Sequence, residues 1–217
     1  MVSLLPLGDQ AALVYFAEEA EALRFAAAVR HANPEWLVDV VQAYASVAVF
    51  FDLGRTRYAD VIEWLKLLDA GSLEAPVGRL HKIPCCYELQ LDLERVARHT
   101  RLNADEMIRQ HTATQYTVFA IGFCPGFPYL GYLPPALCGV PRLDKPRLRL
   151  EAGSVGLTGR QTGIYTEERP GGWNIVGRTP LELVNVADGY FPLRVGDRVK
   201  FESIGEVEFR KLEGERL

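Results

Sequence analysis

The stretch from Tyr116 to Pro180 constrains this chain more than any other, because it sets glycines and prolines between aromatic residues and arginines. Glycine opens backbone conformations and close approaches that other residues forbid, and proline fixes φ. Their spacing here therefore specifies rigid loops rather than a slack linker. A disordered Gly/Pro tract would lack this density of Phe, Tyr, Leu, Ile and Val. Helical periodicity disappears from Tyr116 onward and short strands take over, at Val155–Leu157, Gly163–Tyr165, Trp173–Val176, Leu181–Val184 and Arg198–Glu202, separated by turn residues. Strands at that density predict a closed or nearly closed barrel.

Upstream, the element types alternate. A β region (Ser3–Leu5, then Ala12–Phe16, joined through Gly8 and Asp9) precedes a helix over Glu18–His31, where Ala22, Phe25, Ala26 and Val29 recur at helical spacing. Trp36–Tyr44 and Val47–Phe51 read as two strands broken at Ala45 and Ser46. Tyr58–Leu68 reads as a second helix with Val61, Ile62, Leu65 and Leu68 on one face, ended by Gly71, Pro76 and Gly78, and Leu80–Cys85 as a further strand. The order βαββαβ is that of a ferredoxin-like domain. Leu91–Thr112 then reads as a pair of short helices. Asp92 is placed to cap the first, and Asn103 with Glu106 forms a capping-box pattern for the second. The expected organisation is α+β: an N-terminal ferredoxin-like domain over residues 1–85, a helical-pair linker over 86–115 and a β-barrel over 116–217.

A chain of 217 residues with 48% hydrophobic and 24% charged residues can bury a core in one large or two small domains, and we read two. A net charge of −4 argues against nucleic acid as a partner, since that affinity comes from clustered Lys and Arg. The local cluster Arg142, Lys145, Arg147 and Arg149 is either a small-anion or partner surface or a solvated strand face. No apolar run approaches the roughly 20 residues that span a bilayer. The start MVSLLPLGDQAALVYF has neither a basic segment nor a small-residue cleavage site, so a cytoplasmic protein without membrane contact is expected. Cys85, Cys86, Cys124 and Cys138 lack the paired spacing of a zinc site, and reduced, packed thiols and no metal are expected.

Several residues could carry chemistry. GLTGRQTG at Gly156–Gly163 is glycine-rich but lacks the lysine and following helix of a P-loop. It is either a structural turn or a place where Gln161, Thr162 and exposed backbone N–H groups meet a ligand. In GFCPGFPYLGYLP the residues Phe123, Phe127, Tyr129 and Tyr132 form either a plug at the barrel mouth or a pocket wall offering the Tyr129 hydroxyl and the Gly126 amide. Arg142 and Arg178 suit a substrate carboxylate or phosphate, the alternative for each being an internal salt bridge to Asp144, Glu151 or Glu182. His111, at the end of the second short helix, is either packed near the helix terminus or a proton-handling group. Trp173 reads as a core residue. The chain has no G-x-S-x-G elbow, H-E-x-x-H pair or Rossmann fingerprint, so it does not announce a self-sufficient active site.

Three blocks in order, GFCPGFPYLGYLP at Gly122–Pro134, PRLDKPRLRLEAGSVGLTGRQTGIY at Pro141–Tyr165 and PGGWNIVGRTP at Pro170–Pro180, resemble the allophanate hydrolase subunit 1 family. Its members include the B components of ATP-dependent 5-oxoprolinases and the kinase inhibitor KipI. The likeness continues more weakly through IPCCY at Ile83–Tyr87, whereas the first eighty or so residues match only in general plan. After that Cys-Tyr pair the family usually carries Gly-Gly and Pro-Asp; here the segment runs Glu88-Leu89-Gln90-Leu91-Asp92. The resemblance implies a cyclophilin-like barrel and a B-type 5-oxoprolinase subunit that opens 5-oxo-L-proline to L-glutamate. It would work with C-type and A-type partner subunits of the 5-oxoprolinase and with ATP shared with the partner, Mg entering only through ATP. It also implies a histidine at the position of His111, ahead of the Tyr-x-Val strand. Two rivals are a KipI-like inhibitor of a histidine kinase and a component of allophanate or urea metabolism.

Overall fold

Short alternating strands and helical spacing between them build the N-terminal unit. In the computed structural model, which describes residues 3–70 and 78–217, the chain divides into Met1–Val77 and Gly78–Leu217. β1 (Ser3–Pro6) and β2 (Ala11–Tyr15) form a hairpin. α1 (Glu19–Ala32) buries the stripe Ala22, Phe25, Ala26 and Val29 and ends at Asn33, whose left-handed backbone lets its N–H donate to the Val29 carbonyl at 3.0 Å. β3 (Leu37–Ala43) and β4 (Ser46–Phe51) make a second hairpin, and α2 (Tyr58–Leu67) adds Val61 and Leu65 to the core with Val14, Val40 and Val47. Gly71 and Pro76, expected to end this helix, lie outside the described residues.

The sheet order is β1-β2-β4-β3, antiparallel throughout. This corrects the expected βαββαβ order in one respect. In that order a last strand after α2 would lie beside the first strand of the unit, which is β2. Here β1 holds that edge. The strand read as the last one, β5 (Leu80–Cys86), pairs in parallel with β13 (Arg198–Ile204) over all seven positions, from Leu80↔Arg198 to Cys86↔Ile204. Buried Asp197 fixes its start, accepting from Arg79 N–H at 2.8 Å and lying 3.1 Å from His81 Nε2.

β5 is followed by α3 (Leu93–Thr100), α4 (Ala104–Ala113), β6 (Gln115–Ile121), β7 (Pro128–Gly131), β8 (Arg147–Leu150), β9 (Ser154–Thr158), β10 (Gln161–Ile164), β11 (Arg169–Gly171), β12 (Asn174–Arg178), β13 and α5 (Glu206–Leu212). The barrel closes in the order β10-β7-β6-β13-β5-β12-β9, with β8 and β11 as a separate ribbon. Ile83, Val118, Leu130, Leu157, Val199 and Phe201 fill its core, each buried aliphatic or aromatic side chain contributing about 1.5–3 kcal/mol. Leu181–Val184, expected as a strand, makes only an isolated bridge from Glu182 to Arg216.

The helical pair belongs to this unit, α3 packing on β12 and α4 on β13, because both are amphipathic and bury Leu93, Val96 and Met107 in the barrel core. Asn103 caps α4, its side chain accepting from Glu106 N–H at 2.8 Å, but the Glu106 carboxylate turns to Arg109 and Gln110 instead of closing the box. Asp92 does not cap α3. Gln90 Oε1 accepts from Leu93 N–H at 2.9 Å in that place, while buried Asp92 accepts two bonds from Arg147, at 2.7 and 2.9 Å, and one from Ile175 N–H at 2.8 Å.

Candidate functional site

Two glycines on adjacent strands prepare the site. Gly156 of β9 pairs with Gly163 of β10; a side chain at Gly163 would meet backbone, and one at Gly156 would have to displace its neighbours. A Cβ on Gly163 would stand 2.8 Å from the Pro128 carbonyl and 3.0 Å from the rings of Phe127 and Trp173, and one on Gly156 would stand 3.1 Å from the Trp173 Cβ. The bare strands are thus a floor on which aromatic rings lie. Phe127 meets Tyr129, Tyr165 and Trp173 edge to face, with centroids 5.0, 5.2 and 5.5 Å apart, and Phe123 joins at 5.4 Å.

These five rings, with Arg142, line a cavity of about 230 Å³. Phe127, Tyr165 and Trp173 are buried, whereas Phe123, held at a φ of 67°, is 61% exposed. Arg142 is the one ionised side chain lining the cavity among the described residues, and it forms no ion pair there. Burial raises the phenol pKa values of Tyr129 and Tyr165, and the Arg142 charge pulls both down, so its field reaches these two hydroxyls.

The structure brings Tyr129 and Arg142 together and disperses the other candidates. Gly126, at a φ of 67°, abuts Val184 in the loop turn outside the cavity lining. Arg178 pairs with Glu151 and donates from Nε to the Ala152 carbonyl at 3.0 Å, bordering two other clefts of about 460 and 410 Å³. Gln161 is half-buried opposite Gly131. In the basic cluster, Arg147 pairs with Asp92 and Arg149 with Glu168.

His111 and Thr162 meet each other, away from the cavity lining. His111 is buried, stacked on Phe201 at 4.6 Å, with Tyr87 Oη 2.6 Å from Nδ1 and Thr162 Oγ1 3.1 Å from Nε2. Thr162 donates onward to the Gly156 carbonyl at 3.0 Å. That donation leaves its oxygen to accept from Nε2–H, so Nδ1 accepts from the Tyr87 hydroxyl and the ring is neutral. Burial lowers the His111 pKa to about 3 in keeping with this.

The glycines of Gly156–Gly163 do not fit a triphosphate. Gly156 and Gly163 lie beneath the rings, and at the turn Gly159 N–H already donates to the Val140 carbonyl at 2.7 Å. Trp173 is a core residue, as read from the sequence; sequence reasoning missed the glycine floor, the place of Tyr165 and that Trp173 also lines the cavity. The alternation of glycines with Val155, Leu157, Thr162 and Ile164 on two neighbouring strands was the available signal.

Residues 2–190 match the carboxyltransferase domain, subdomain C and D. The chain belongs to this family. Within it, 94% of the chain aligns at 34% identity with 93% of a Bacillus subtilis protein named as the B subunit of 5-oxoprolinase. The solved protein TTHA0988 shares 34% identity at a TM-score of 0.78, covering 90% of this chain. This chain spans 39% of the length of that solved one. The Kluyveromyces lactis urea carboxylase, 18% identical, superposes with a TM-score of 0.73 over 97% of this chain and 22% of its own, a likeness of fold. The resemblance carried by the three loop blocks is therefore a family relationship. No helix among the described residues is long and apolar enough to cross a membrane.

Proposed function

We propose that this chain is the B-type subunit of a cytoplasmic, ATP-dependent 5-oxoprolinase, which opens 5-oxo-L-proline to L-glutamate together with C-type and A-type subunits. The observation that carries the reading is the aromatic cavity with an unpaired arginine. A chamber of about 230 Å³ suits a five-membered ring, and the Arg142 guanidinium suits its single carboxylate. Identity with a relative named for that reaction supports the choice of lactam. In this reading Arg142 holds the carboxylate, Tyr129 offers its hydroxyl, and the aromatic walls pack against the ring. His111 and Thr162 hold strand β10 in place. ATP and the activation of the lactam oxygen fall to the partner subunits, since the Gly156–Gly163 hairpin offers no cradle for phosphates.

The test is reconstitution. The purified chain alone should release no glutamate, and the mixture with C-type and A-type subunits should release glutamate as ATP is consumed. Glutamate from the isolated chain, or none from the complete mixture, would overturn the proposal.

A further inference from the structure

We infer that the aromatic cavity selects ring-borne monocarboxylates whose nitrogen, if any, is uncharged, and that it rejects zwitterionic amino acids of the same shape. A carboxylate seated against the aromatic walls gives up part of its hydration, which a cation must offset, and Arg142, exposed at the cavity rim, is there with its guanidinium free of any ion pair among the described residues. Burying an ammonium demands an acceptor of matching charge. No carboxylate or imidazole lines the cavity among the described residues.

Aromatic walls could replace that acceptor through cation–π contact, so their arrangement matters. Two features oppose it here. Phe127, Tyr129, Tyr165 and Trp173 contact one another at interplanar angles of 65–87°, so in each pair an edge covers one ring face and fewer faces are open to a cation. The positive charge of Arg142 also extends over the space beside Tyr129 and Tyr165. A second cation would enter that field unpaired.

The inference deepens the proposed function and rests on it only for the physiological ligand. A lactam nitrogen is an amide and stays neutral, whereas the opened product carries an ammonium and a second carboxylate. The cavity that accepts the ring would thus expel glutamate, making release of the product a property of this chain.

Titration calorimetry of the full chain with four compounds tests this: 5-oxo-L-proline, cyclopentanecarboxylate, L-proline and 2-pyrrolidinone. The first two should bind with affinities within a few-fold of each other, and L-proline and 2-pyrrolidinone at least about tenfold more weakly, a difference of 1.4 kcal/mol. Arg142→Gln should reduce binding of both carboxylates about tenfold or more while leaving the unfolding midpoint unchanged. L-proline binding as tightly as cyclopentanecarboxylate, no binding of either carboxylate, or unaltered binding by Arg142→Gln would overturn the inference. The two readings fail separately. Carboxylate binding with a reconstituted complex inactive on 5-oxoproline would sink the proposed reaction alone, and an active complex whose B-type chain binds no carboxylate would sink this inference alone.

Discussion

His111 gives the sharpest physical prediction, because its buried ring is neutral in the folded barrel and protonated in the unfolded chain at mildly acid pH. Its pKa falls from an ordinary 6.5 to about 3 by burial. Between those values the unfolded state binds the extra proton, so folding is fully favoured above pH 6.5 and loses stability as pH falls towards 3. From pH 7.5 to pH 5 the loss is about 1.4 kcal/mol for each of roughly 1.5 units, or about 2 kcal/mol, equivalent to roughly 4–8 °C in the midpoint of a unit of this size. His111→Gln removes the titration. At pH 7.5 that variant should be less stable by about 2–4 kcal/mol, through lost stacking on Phe201 and the unmet Tyr87 hydroxyl. By pH 5 the gap to wild type should narrow by about 2 kcal/mol. Urea unfolding of both proteins at the two pH values measures it. A gap that stays constant would show that His111 is protonated in the fold or exposed to solvent, and the neutral chain from Tyr87 to Gly156 would be wrong.

Arg147→Ala should cost the barrel about 2–3 kcal/mol in urea unfolding, because it strands the buried Asp92 carboxylate; a loss under about 0.5 kcal/mol would make the pair an ordinary surface bridge. Gly163→Ala should cost about 1–3 kcal/mol by pushing Phe127 and Trp173 off the sheet, more than Gly159→Ala, whose site is open but has a φ of 57°; equal costs would contradict the glycine floor. In the reconstituted complex, Arg142→Lys should raise KM for the lactam several-fold with an unchanged midpoint of unfolding, and an unaltered KM would remove Arg142 from the substrate.

The parts of this fold legible in the sequence are those set by local chemistry. The stripe Ala22, Phe25, Ala26 and Val29 specifies α1, Asn103 specifies the start of α4, and the density of short strands after Tyr116 specifies a barrel. What escaped depends on partners distant in sequence. Leu80–Cys85 reads as a strand from its sequence, and nothing in the segment tells whether it completes the first sheet or pairs with a strand more than a hundred positions later. Asp92 has the residue type of a helix cap, but Arg147, fifty-five positions away, claims its carboxylate. Arg142 and Arg178 are alike in sequence, and only the fold leaves one unpaired while giving the other Glu151.

The glycines of β9 and β10 illustrate why a glycine-rich stretch misleads when read along one dimension. Side chains alternate across a strand, so Thr162 and Gly163 must face opposite sides of β10. On one side Thr162 stands between Leu130 and Leu157 and takes the hydrogen bond from His111; on the other Gly163 stands between Tyr129 and Gly156 beneath the rings. A residue hydrogen-bonded to His111 and a residue that lacks a side chain therefore share one constraint, the height of a single strand. Moving β10 at Thr162 would tilt the floor under Phe127 and Trp173, and filling the floor at Gly163 would pull Thr162 from His111. The buried histidine and the aromatic cavity are thereby coupled through the backbone of four residues, without either touching the other.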